Sequence, residues 1–239
     1  MSRPRETPDV ETSLPGYAQR FAGEVGAWFL DTQLRTALEL LAPWPGAAVL
    51  DVGGGHAQLA GPLVGRGYRV TVAGSDLVCR ERLDPAIPFD VCDLPRLPYP
   101  DRSFGVVIAF RLLAHLESWR ELIGEMCRVA DRAVVVDYSD TRSFNRFYGP
   151  LFRWKKSLEG NTRTFLLFQP GEVAAACARH GFGQPAARRQ FFLPMVVHRK
   201  LGRAGLSRAL EQGSAALGLT ATLGSPVVLR AVRRDEETR

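Results

Sequence analysis

The chain has 239 residues, 46 % of them hydrophobic and 23 % charged, a balance that excludes long disorder, collagen-like structure and coiled coil. Its net charge of +6 is uneven: residues 1–138 carry 14 basic against 18 acidic side chains, and residues 139–239 carry 17 against 7. A basic second half either meets an anionic partner or is a solvated, arginine-rich face, and both readings stay open.

The first sixteen residues hold Glu6, Asp9 and Glu11 and no apolar run, so residues 1–16 are expected to be disordered and to contain no signal peptide. From Tyr17 to Leu41 the apolar positions recur at helical spacing, and Pro43 and Pro45 close the segment. Ala47 to Val52 reads as a strand, followed by Gly53-Gly54-Gly55 and a helix to about Gly65. Tyr68 to Ala73 is a second strand, with Leu77 to Leu83 as a helix after it. A proline-broken stretch leaves room for one short strand around Phe89 to Cys92. Strand Phe104 to Phe110, helix Glu117 to Val129 and strand Arg132 to Tyr138 follow. Helix Gly171 to His180, strand Gly183 to Phe192, helix Leu201 to Leu217 and strand Val227 to Val232 complete the order. Strands alternating with helices imply a parallel sheet covered on both faces. The aromatic and basic segment 139–169 interrupts this rhythm and reads as an inserted cap. Charge-free stretches are rich in Gly, Ser, Thr and Pro, so no membrane span is expected. Cys79, Cys92, Cys127 and Cys177 form no CxxC pair and suit buried thiols in a reducing cytoplasm, with no metal site.

A strand ending at Asp51, a glycine turn and a helix form a ligand-binding turn, because glycine lets backbone approach a ligand and the helix start favours an anion. Gln58 stands where a dinucleotide GxGxxG needs its third glycine, and no GxxxxGK[ST], GxSxG or HExxH occurs. The run Val49-Leu50-Asp51-Val52-Gly53-Gly54-Gly55 resembles motif I of class I S-adenosylmethionine-dependent methyltransferases of the type 11 kind. Asp93 to Phe104 is similar to that family's D-x-x-x-L-P-[FY]-x-D-x-S-F segment, and Val106 to Leu116 and Glu121 to Val129 are similar to its following strand, L-x-H-L turn and helix. Two motifs at the right spacing, over residues 47 to 138, make the resemblance specific. Ala57 replaces the family's third glycine, and Gly74 stands where it has a ribose-binding acid.

The resemblance implies an α/β, doubly wound, Rossmann-like seven-stranded sheet with its last strand antiparallel, a helical N-terminal extension and an inserted cap. Residues 17–239 form one domain in this reading: N-terminal helices 17–45, cofactor core 46–138, cap 139–169 and C-terminal half 170–239. The implied cofactor is S-adenosyl-L-methionine. It is assigned to Asp51, Gly53, Gly54, Gly55 and His56 on the methionine side, Ser75 and Asp76 at the ribose, Asp93 and Leu94 at the adenine, and Phe110 and Arg111 on the floor. Asp76 is equally an N-cap for the helix behind it, and His56 equally a solvated first helical residue. His115, Asp137, Tyr138 and His198 are candidate bases, and the residues alone do not choose among them. Arg146, Tyr148, Trp154 and Lys155 of the cap are candidates for holding the substrate.

Methyl transfer is expected on a small-molecule acceptor, aromatic or anionic. A non-catalytic binder of the cofactor and an RNA or protein methyltransferase are the alternatives. Nucleic acid is the weaker partner, since neither an RNA-binding module nor a base-methylation signature accompanies the arginines. Peripheral membrane contact through Leu201 to Leu219 stays open, a packed helix being the plainer reading. The oligomeric state is not legible.

Overall fold

The computed structural model describes residues 5–143 and 165–234. Among them one seven-stranded sheet runs in the order β3-β2-β1-β4-β5-β7-β6. Its strands are β1 (Ala48–Val52), β2 (Arg69–Gly74), β3 (Phe89–Val91), β4 (Phe104–Ala109), β5 (Ala130–Tyr138), β6 (Phe182–Phe191) and β7 (Ser225–Arg233). β1 to β5 are parallel, and β7 is antiparallel both to β5 and to the edge strand β6. Pro185 falls at the irregularity between Gly183 and Ala186, where a missing N–H leaves the ladder least disturbed. The sheet is therefore the Rossmann-like sheet expected, antiparallel last strand included.

Among the described residues nine α-helices follow one another in chain order. They are α1 (Pro8–Ser13), α2 (Pro15–Ala18), α3 (Gly23–Leu41), α4 (Ala60–Val64), α5 (Trp119–Val129), α6 (Glu172–Arg179), α7 (Met195–Leu201), α8 (Ala204–Ala216) and α9 (Leu219–Leu223). Alternation along each strand sends one set of side chains to each face. Leu50, Val52, Val107 and Val134 pack with Leu122, Ile123 and Met126 of α5 and Cys177 of α6. Val49, Val106, Ile108 and Val135 pack on the other face with Ala37, Leu40 and Leu41 of α3 and Ala60 and Leu63 of α4. Both faces are dry, which is why Val134, Val135 and Val136 can follow one another in a central strand.

The structure corrects four local readings. Residues 8–13, expected within a disordered N-terminus, form α1, and its Asp9, Thr12 and Ser13 are buried. Pro8 at the first helical position and acids Asp9 and Glu11 in the first turn start this helix, and tertiary contact holds it. The segment after β2 is a 3-10 turn over Leu77–Arg80, not a helix to Leu83. The helix expected from Leu201 to Leu217 spans Ala204–Ala216, and Leu201 instead ends α7, the two being parted where Gly202 takes φ +65°. After the glycine turn the chain makes a 3-10 turn, Gly54–His56, before the short α4.

Most of the expected cap lies outside the described residues, including Arg146, Tyr148, Trp154 and Lys155. Its two described stems meet: Thr141 N–H donates to Phe168 O at 2.9 Å and Phe168 N–H to Ser139 O at 3.0 Å. No helix among the described residues is long and apolar enough to cross a membrane.

Candidate functional site

The carboxyl ends of β1, β2, β4 and β5 bring most of the candidate residues together, on the edge where open α/β sheets bind ligands. Asp51, second to last in β1, is fully buried, and neither carboxylate oxygen has a hydrogen-bond partner among the described residues. Burial alone raises its pKa to about 7. The turn above it fits no other residues: a Cβ on Gly54 would stand 2.3 Å from the Asp51 carboxylate, and Gly53 needs φ +72°. Ala57 takes φ +59° at the position where the resembled family has a glycine. An orphaned anion under an all-glycine turn is built to meet a cationic group.

His56 is buried in this turn and ties it to β4. Its Nδ1 accepts from Gln58 N–H at 3.1 Å, which places the proton on Nε2, 3.3 Å from Phe110 O. Burial first, and the Arg111 charge second, lower its pKa to about 3. It is neutral and not solvated.

At β2 the expected ribose-side residues separate. Asp76 is exposed and caps the turn behind it, accepting from Val78 N–H at 3.0 Å. Gly74 cannot carry an acid, because its Cβ would stand 2.6 Å from the Phe89 ring. Ser75 is buried, and both its N–H and its hydroxyl donate to Asp9 of α1, at 2.7 and 2.5 Å. Asp93 is half-buried after β3 with Arg96 beside it, and Leu94 is fully buried.

Beyond Phe110, Arg111 turns the chain with φ +59°. Its N–H donates to Asp137 Oδ1 at 2.6 Å, its Nε to Gln58 Oε1 at 2.8 Å, and its guanidinium lies 4.3 Å over the Phe21 ring. Burial raises Asp137 to about 6, and the Arg111 charge and N–H hold it from rising further. Burial also pushes Tyr138 up to about 12. Arg111, His115, Asp137 and Tyr138 line one cavity of about 270 Å³ with Tyr17, Phe165, Phe191 and Arg199 among its other walls.

His198 does not join them. It is buried among Trp28, Phe29 and Phe191, with Nε2 2.9 Å from Glu211 Oε1. The same carboxylate accepts from Phe192 N–H at 2.8 Å and Leu193 N–H at 2.9 Å, so it fixes the cavity wall 191–196. Glu211→Ala leaves those buried donors unpaired and is expected to cost about 3 kcal/mol of stability. Thermal unfolding measures it, and a raised acceptor KM reports the loosened wall.

The sequence reading missed Asp9, Gln58 and the Phe191–Val196 wall. In sequence Gln58 marks only a broken fingerprint, and nothing in residues 191–196 signals a pocket. For Asp9 the proline and acids of a helix start were present.

A family model, "methyltransferase domain", matches residues 50–134. Over 54 residues the chain is 37 % identical to ajmaline N-methyltransferase of Rauvolfia serpentina, a match covering 23 % of this chain and 19 % of that protein's length. The chain is similar in fold to a methyltransferase of Thermotoga maritima, a possible histamine N-methyltransferase. The TM-score is 0.61 at 14 % identity, covering 96 % of this chain and 100 % of the other. Geranyl diphosphate methyltransferase, solved with geranyl diphosphate and sinefungin, gives TM-score 0.62 at 18 % identity over 92 % and 83 % of the two chains. Magnesium protoporphyrin IX methyltransferase of Synechocystis, solved with S-adenosylhomocysteine, gives 0.58 at 16 % over 91 % and 92 %.

Proposed function

We propose that this chain, which belongs through residues 50–134 to the methyltransferase domain family and whose cofactor is S-adenosyl-L-methionine, methylates a small acceptor with an aromatic or apolar body and an anionic group. One observation carries the acceptor reading: an aromatic-walled cavity at the ends of β4 and β5 holds the Arg111–Asp137 pair and Arg199. Geranyl diphosphate and magnesium protoporphyrin IX, for which two of the structural relatives are named, join apolar bodies to anionic groups in the same way.

The cofactor, when bound, supplies an electrophilic methyl on a sulfonium. Asp51 and the Gly53–Gly55 backbone are the residues to hold its methionine part, and the buried, unpaired Asp51 carboxylate fits the positive charge there. Asp93 and Leu94 are the residues assigned to the adenine in this reading. Arg111 and Arg199 orient the acceptor's anion, and Tyr17, Phe165 and Phe191 exclude water around it. Asp137, ionised at neutral pH, takes the proton from an acceptor hydroxyl or ammonium. His115, its ring 5.6 Å from Phe165, is a wall of the same cavity.

The test is S-adenosylhomocysteine formation over a panel of phenolic, prenyl-phosphate and carboxylated aromatic acceptors, with neutral and cationic analogues beside them. Turnover confined to the anionic members is expected. Turnover confined to cationic amines overturns the acceptor class.

A further inference from the structure

Helix α1 and the residue pair before it lie across the ends of three strands. Arg5 donates to Cys92 O after β3. The Glu6 carboxylate accepts from Glu117 N–H at 2.6 Å and Ser118 N–H at 3.1 Å, beyond β4. Between them Asp9 has no exposed surface, and its carboxylate takes Ser75 N–H, Ser75 Oγ–H and, at 3.3 Å, the Cys79 thiol. Ser13, one turn on, lies 2.5 Å from where a Cβ on Gly55 would stand. The helix therefore sits flush on the glycine turn at one side and on the end of β2 at the other.

This arrangement fills the place between β1 and β2. Gly74 has no side chain, Asp76 faces outward, and both donors of Ser75 are taken by Asp9. Asp51 and His56 have essentially no exposed surface, so no water-sized space adjoins them. A nucleoside cannot share this space with α1 in place.

We infer that α1 is a displaceable plug on the ribose side of the cofactor cradle, latched to Ser75 and Cys79 by Asp9, and that the cofactor is admitted only when it lifts. The inference rests on the cofactor assignment above. The latch holds the binding-competent form to a minor population, and the apparent affinity is weakened by that fraction. Asp9 is thus an acid that opposes the cofactor, although it stands beside the position where the resembled family has an acid that binds it.

The two roles differ in sign. With a latch, Asp9→Ala binds S-adenosylhomocysteine about tenfold more tightly than the unaltered chain, by calorimetry. Hydrogen exchange over residues 8–14 of the unaltered chain then speeds up when S-adenosylhomocysteine is added. Without any ligand, hydrogen exchange over residues 8–14 is already faster in Asp9→Ala than in the unaltered chain. Weaker binding by Asp9→Ala, with slower exchange over residues 8–14 on ligand addition, makes Asp9 a cofactor ligand and overturns the latch. Equal affinity with unchanged exchange also overturns it. If neither protein binds S-adenosylhomocysteine, the cofactor assignment fails, and hydrogen exchange over residues 8–14 without ligand alone decides the latch: faster in Asp9→Ala supports it, unchanged overturns it.

Discussion

Asp51→Asn is expected to make the unliganded protein more stable at about pH 8, while removing its affinity for S-adenosylmethionine. Asp51 sits fully buried, with no donor to either oxygen among the described residues. Its pKa rises from 3.8 to about 7, so folding favours the protonated form. The stabilising contribution of that proton is complete below 3.8 and is lost as pH rises through 7. Roughly three pH units of loss correspond to about 4 kcal/mol, an upper figure because buried carboxylates relax. Asparagine cannot ionise, so the stability gap between variant and parent should widen from about pH 4 to about pH 7 and then level off. Chemical denaturation at a series of pH values reads the gap directly. A pH-independent loss of stability in the variant would show that the carboxylate is a structural anchor. Calorimetry gives the other half: retained micromolar affinity in Asp51→Asn would place the cofactor's cation elsewhere.

That opposition between stability and binding was partly legible in the sequence. An acid at the end of an apolar strand, ahead of three glycines, has no local reason to be there, and the resemblance to the methyltransferase family implies a role for it. The sheet was legible for the same reason: runs such as Val134 to Val136 need two dry faces, and only a covered sheet offers them. What could not be read were contacts across long sequence distance. Asp9 meets Ser75, 66 residues away, and Arg111 meets Gln58, 53 away. Neither pairing leaves a periodicity, a spacing or a composition. The ribose side shows the limit best. Asp76 and Ser75 were adjacent candidates, and the backbone turned one outward as a cap and handed the other to α1. His198 gives no sign of burial in sequence because its cage is assembled from two distant elements, Trp28 and Phe29 of α3 and Phe191 of β6.

Asp137→Asn is the variant expected to remove most turnover at the proposed acceptor cavity, lowering kcat by about 10²- to 10⁴-fold, the usual share of a positioned base. Asparagine keeps an oxygen to accept Arg111 N–H, so the turn at φ +59° and the cavity wall should survive and KM should change little. In the parent enzyme a base with pKa about 6 is protonated below that pH, so kcat/KM should fall as pH drops through about 6. The neighbouring guanidinium holds that pKa down. Arg111→Gln should therefore move the acidic limb to higher pH, while the backbone hydrogen bond remains. The two variants separate proton transfer from positioning. Loss of kcat in Asp137→Asn with a shifted limb in Arg111→Gln assigns the proton to Asp137. Unchanged kcat in Asp137→Asn means the acceptor's nucleophile has no proton to lose, or gives it to solvent or to another group lining the cavity, His115 or Tyr138. His115→Asn and Tyr138→Phe then separate these outcomes, since a kcat lost in either assigns the proton to that side chain.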